Sequence, residues 1–155
     1  MVSKKAAKRL KTLANFIRKL PAETFDMDVW GIKRHEYNFK ICETDLKKAV
    51  SAAKKDHLCG TEDHLCGTAC CIGGWAIIRE KLCLDDNGEV YNSKRSKKSL
   101  GQASDVAQKI LDLTDGQANA LFYPSRWPGR FRNYPENPTP VQAADRIEFL
   151  IEKGF

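Results

Sequence analysis

Long apolar runs are missing from this chain: no stretch approaches the roughly 20 consecutive apolar residues that cross a bilayer, which excludes a membrane-spanning helix. Acidic residues are missing from the first twenty positions, where Lys4, Lys5, Lys8, Arg9, Lys11, Arg18 and Lys19 face no carboxylate. A CxxC pair is missing as well, so the usual two-residue knuckle that turns both sulfurs toward zinc has no counterpart. No histidine follows Cys71: His35, His57 and His64 all precede it, which removes a downstream general base for a thiol nucleophile.

What remains is a chain of 155 residues, a length that supports one hydrophobic core and a single domain over 1–155. A hydrophobic content of 42% with 30% charged residues is ordinary for a globular protein in water. The acid-free N-terminus is amphipathic but lacks an apolar core followed by a small-residue cleavage site, so no secretory signal is expected and a cytoplasmic location is. Six cysteines then belong to a reducing compartment, where disulfides are uncommon. The net charge of +6 gathers in the N-terminal block and in Lys94, Arg95, Lys97 and Lys98. Such blocks favour phosphate-bearing partners, the plainer alternative being a solvated helix face and a charged loop.

Hydrophobic spacing predicts a mainly α fold of about six helices with one short β-hairpin. Leu10, Leu13, Ile17 and Leu20 recur at helical spacing before Pro21, giving a helix over 3–20. Thr44 can cap a second helix with Leu46, Ala49, Val50 and Ala53 inward, and Thr68 can cap a third over 69–81 with Cys71, Trp75 and Ile78 on one face. Gly73 and Gly74 give that helix a small surface suited to a close backbone neighbour, a possible homo-oligomer contact. KLCLDDNGEVY reads as a hairpin in which Cys83 and Leu84 pair with Val90 and Tyr91 around Asn87-Gly88. Three capping boxes, Ser99 with Gln102, Thr114 with Gln117 and Thr139 with Gln142, predict three further helix starts. Their inward residues are Ala103, Val106, Ala107 and Ile110, then Ala118, Leu121 and Phe122, then Val141, Ala144, Ile147 and Leu150, the last helix closing near Gly154. Pro124, Pro128, Pro135 and Pro138 stiffen the loop between the last two helices.

Three chemistries compete around HLCGTEDHLCGTACCIGGW, where the unit starting at Asp56 repeats from Asp63. His57, Cys59, His64, Cys66, Cys70 and Cys71 are enough donors for a metal, yet their spacing chelates poorly and no distant second knuckle closes the set, so no metal or cofactor is expected. A thiolate at a helix N-terminus would be reactive, and CGTACCIGGW shares its opening with the papain-type CGSCW, but only a pair such as His64 with Cys66 or Cys71 could serve as base and nucleophile. The third reading uses backbone: Gly67 before the Thr68 cap lets an anion approach unpaired N–H groups at a helix start. That reading gains a partner in RWPGRFRNY, where Arg126, Arg130 and Arg132 alternate with Trp127, Phe131 and Tyr134. Guanidinium groups fork onto phosphates and aromatic planes stack on bases; alternatively Trp127 and Phe131 pin the loop to the core.

His64, Cys66-Gly67-Thr68, Cys71 and Gly74-Trp75-Ala76 together match a pattern HxCGTxxCxxGWA, and in this the chain resembles a group of small phage and bacterial proteins. Leu121-Phe122, Trp127-Pro128, Thr139-Pro140, Ala143-Ala144 and Ile147 are similar to that group's C-terminal half. The resemblance covers roughly Asp63 to the end and implies a phage-type accessory role without a set activity. Combined with the residues, it leads to one expectation: a non-enzymatic binder that sequesters a phosphorylated small molecule, foremost a nucleotide or nucleotide immune signal, as a counter-defence protein. Its ligand-binding residues would be His64, Cys66, Gly67, Thr68, Ala69, Arg126, Trp127, Arg130, Arg132 and Tyr134, with no catalytic set. Nucleic-acid binding through Lys8, Lys11 and Lys97 and a cysteine-dependent hydrolase are the alternatives.

Overall fold

The computed structural model describes residues 1–25, 27, 32–33, 40–44, 47, 68–69, 71–85, 87–131 and 138–154. Among these, five α-helices and a small antiparallel sheet make a mainly α architecture. Helix α1 runs Lys4–Ile17, started by Ser3, whose Oγ accepts the Ala6 N–H at 3.0 Å. Its inward residues Ala6, Leu10, Leu13, Ala14 and Ile17 are all buried, and Leu20 extends the stripe. The lysines take the other face, as the charge pattern requires.

Helix α2, Ile72–Arg79, is the centre of the core: every residue from Ile72 to Ile78 is buried. A helix apolar on all sides has to be enclosed, and α2 packs against α1, strand Cys83–Asp85 and the two helices that follow. Trp75 is fully buried and its indole Nε1–H donates to the Thr24 carbonyl at 3.1 Å, which satisfies its one polar atom. Gly73 and Gly74 lie inside this packing, so they offer no face to a second copy.

Helices α3 (Ala103–Leu111), α4 (Asp115–Phe122) and α5 (Pro140–Lys153) complete the bundle, with α5 lying along α1. Thr114 and Thr139 both form complete capping boxes with Gln117 and Gln142. Arg18 ties α1 to α5, its guanidinium meeting Asp145 at 2.8 Å and Glu148 at 2.8 Å. Val141 corrects the expected inward face of α5: it is 49% exposed, and Ala143 and Arg146 take its place inside.

The hairpin has the expected register, Cys83 opposite Tyr91 and Leu84 opposite Val90. Gly88 supplies the positive φ of 76°, and the Asp85 carboxylate accepts the N–H groups of Asn87 at 3.0 Å and Glu89 at 2.9 Å. The sheet is larger than one hairpin. Strands β2 (Lys40–Ile41), β4 (Cys83–Asp85), β5 (Glu89–Tyr91) and β6 (Ser99–Gln102) are ordered β2-β4-β5-β6, and a separate ladder joins β1 (Ile32–Lys33) to β3 (Thr68–Ala69).

Three expected caps are corrected. Ser99 is a strand residue: its hydroxyl turns to Glu89 and also accepts the Gly101 N–H at 3.0 Å, so α3 begins four residues later without a side-chain cap. Thr68 is in β3, and α2 begins at Ile72 behind Cys71, again without a side-chain cap. Glu43 is already helical one residue ahead of the expected cap Thr44, while Leu46, Ala49, Val50 and Ala53 lie outside the described residues. Cys42 and Cys83 form a disulfide with Cα atoms 4.5 Å apart, in place of the reduced thiols expected. The two residues stand opposite one another because the β2–β4 register, Ile41 with Leu84, brings the next pair into line.

Candidate functional site

The anion site expected at the CGT turn does not form around a helix start. Thr68 and Ala69 pair with Lys33 and Ile32, so their backbone belongs to a ladder and the α2 N-terminus lies beyond them. His64, Cys66 and Gly67 lie outside the described residues, as do Arg132 and Tyr134 of the arginine loop.

The described part of that loop turns its rings inward. Two short 3-10 turns, Pro124–Arg126 and Gly129–Phe131, fold it over α4 and α5. Trp127 is only 3% exposed, with its Nε1–H donating to the Leu121 carbonyl at 3.2 Å and its ring edge-on to Phe131. It is core, which corrects its assignment as a stacking platform: an indole whose N–H has a buried backbone acceptor is more stable inside than bare to solvent. Arg126 and Arg130 are exposed, and Arg130 lies over the rings of Phe131 and Phe149.

The basic N-terminal helix, by contrast, walls a cavity of about 320 Å³ between α1, α2 and α3. Lys5, Lys8, Arg9 and Thr12 line one side, at positions i, i+3, i+4 and i+7 of one helix face. Arg79 and Glu80 come from the end of α2, and Leu13, Ala76, Ile110 and Leu111 form an apolar floor. Four cations thus face a single lining carboxylate among the described residues.

Each cation is held differently. Arg9 donates to the Ile110 carbonyl at the end of α3, and Arg79 lies 5.0 Å from the centre of the Phe16 ring. Lys5 meets Asp112 at 3.3 Å; this residue closes α3 in a left-handed conformation with φ 60°. The Ser3 hydroxyl and then Lys5 hold the Asp112 carboxyl below its ordinary range. The Lys8 ammonium makes no polar contact among the described residues. The ends of α2 and α3 carry partial negative charge, which accounts for Arg79 and Arg9. It does not account for Lys4 and Lys5 in the first turn of α1, where the dipole is positive and no acid is present.

Sequence reading marked Lys5, Lys8 and Arg9 as part of a phosphate-favouring block but not as a cavity wall, and it missed Thr12 and Arg79. The spacing 5, 8, 9, 12 beside the buried stripe 6, 10, 13 was the available signal. Arg79 could not be placed without knowing that α2 ends beside α1. No protein-family model, curated protein or solved structure matches the chain.

Proposed function

We propose that the protein is a non-enzymatic binder of a phosphorylated small molecule of nucleotide size, held in the cavity between α1, α2 and α3. The observation that carries this reading is the cavity itself: about 320 Å³ with Lys5, Lys8, Arg9 and Arg79 above an apolar floor. That volume falls at the lower end of the roughly 300–1,000 Å³ typical of small-molecule sites, and the mixture of fixed cations with apolar surface suits a ligand with a phosphate at one end and a ring at the other. Lys8, which has no internal partner among the described residues, is the primary phosphate contact, and the Arg79 guanidinium is the second.

Binding rather than catalysis is supported by the lining. Its titratable groups among the described residues are cations and Glu80, and the Thr12 hydroxyl already donates to the Lys8 carbonyl at 3.0 Å. A small basic protein with such a pocket fits sequestration of a nucleotide signal, and the HxCGTxxCxxGWA resemblance, which implies a phage-type accessory role without a set activity, is compatible with it. Calorimetry against mononucleotides and cyclic nucleotides tests the reading. Micromolar binding is expected in the wild type, with a loss of at least about 100-fold in Lys8→Glu/Arg79→Glu, since reversing two charges replaces attraction with repulsion. No binding by any nucleotide, or binding unchanged in the double variant, contradicts it. Preference for single-stranded oligonucleotides with a steep salt dependence would instead favour the exposed row Lys4, Lys8 and Lys11 as a nucleic-acid surface.

A further inference from the structure

Arg146 is the most heavily buried charge described in this protein. It sits on the inner stripe of α5 between Ala143 and Leu150 with no exposed surface. One Nη2–H donates to the Ala120 carbonyl at 2.9 Å, while Nε and Nη1 have no acceptor among the described residues. The two carboxylates nearest in sequence, Asp145 and Glu148, are engaged by Arg18 from α1. Burial pushes the Arg146 guanidinium down to about 10, so it remains protonated at neutral pH. A buried cation with no counter-charge among the described residues is among the costlier arrangements in a protein interior.

Its surroundings add a second cation rather than an acid. The Arg146 guanidinium lies 5.7 Å from the ring centres of both Phe131 and Phe149, and Arg130 lies 4.9 Å and 5.0 Å from the same two rings. The rings meet edge to face at 5.4 Å. Ring faces offset part of the cost of each cation, but two guanidiniums on one ring pair repel each other. Phe149 is only partly buried and Arg130 is exposed, so solvent lies about one ring away from Arg146.

We propose that the Phe131–Phe149 neighbourhood is a second, independent anion site, in which Arg146 binds a small oxyanion through its unfilled N–H groups and Arg130 closes the site on its solvent side. Nε and Nη1 have no accessible surface, so an anion reaches them only by displacing the Arg130 side chain or the Phe149 ring, and this favours a compact ligand, phosphate or a small carboxylate, over an extended one. The anion neutralises the buried charge and relieves the repulsion between the two arginines.

The test uses the Lys8→Glu/Arg79→Glu protein as host, so that the α1 cavity contributes nothing. Freed of oxyanions, it is titrated with inorganic phosphate, with acetate, and with sodium chloride at matched ionic strength, following the thermal midpoint and, for phosphate, equilibrium dialysis. One bound phosphate is expected, with a midpoint that rises with phosphate and stays level in chloride; a rise with acetate as well identifies a general oxyanion site, and its absence a phosphate-selective one. Arg146→Met should abolish the bound phosphate and the rise together. Arg146→Lys, which keeps the charge but loses the planar donors, should weaken binding by about tenfold or more. No dialysable phosphate in the host, or phosphate retained at full affinity in Arg146→Lys, overturns the proposal even if Arg146→Met does not fold.

Discussion

Trp75 and Trp127 bury their rings alike, and each donates its indole N–H to a backbone carbonyl, Thr24 and Leu121 respectively. Sequence spacing places Trp75 in the core because its neighbours at helical distance are apolar. It favours a stacking role for Trp127, because arginines and prolines on both sides resemble an exposed recognition loop; the alternative, in which Trp127 and Phe131 pin the loop to the core, is the one the burial of both rings bears out, Phe131 lying edge-on to Trp127 and to Phe149. Both Trp75→Ala and Trp127→Ala should therefore cost about 3–5 kcal/mol in chemical denaturation. A Trp127→Ala protein of unchanged stability would contradict its place in the core. Charge at single residues gives a second expectation. The Arg18 guanidinium, chiefly by hydrogen bonding, holds the Glu148 carboxyl below its ordinary value of 4.5. A depressed carboxylate stabilises the fold above that ordinary value and ceases to do so as pH falls through the lower folded one. Acid unfolding followed by circular dichroism should show a shallower loss as pH falls below 4.5 in Arg18→Met than in the wild type. Identical acid limbs would show that the α1–α5 tie contributes nothing.

Among the elements, three identical-looking capping signals had different outcomes, and the reason lies in long-range partners. Thr114 and Thr139 follow loop residues and are free to accept the N–H three positions on. Ser99 follows a connection that returns beside β5, where Glu89 takes its hydroxyl and also accepts the Gln102 amide at 2.6 Å. Gly101, at φ 125°, then allows a turn into α3 that other residues resist. Thr114→Ala and Thr139→Ala should each lower stability by about 1 kcal/mol, measured by urea denaturation. No change in either would mean that the boxes are geometric only. The hairpin was legible because Asn87-Gly88 and the alternation on each side fix the register locally. Strands β2 and β6 were not, since two and four residues carry too short a pattern to read. The Thr68 cap failed for a related reason: its pairing partner, Lys33, is far away in sequence.

At the scale of the whole molecule, the charge imbalance on which the proposed anionic ligand rests was legible in the sequence, whereas the location of the proposed site was not. Gly67-Thr68 and the arginine loop carry familiar phosphate-binding chemistry, but Thr68 pairs in β3 instead of capping a helix, and Trp127 turns inward. The α1 lysines looked like a solvated face until the ends of α2 and α3 closed a cavity against them. A structure of the protein crystallised with its tightest-binding nucleotide tests this account most directly. The account predicts the phosphate within hydrogen-bond distance of Lys8 and Arg79, with the rest of the ligand over Leu13, Ala76 and Ile110. Phosphate bound instead beside Thr68 or Arg126, with the α1 cavity empty, would contradict it.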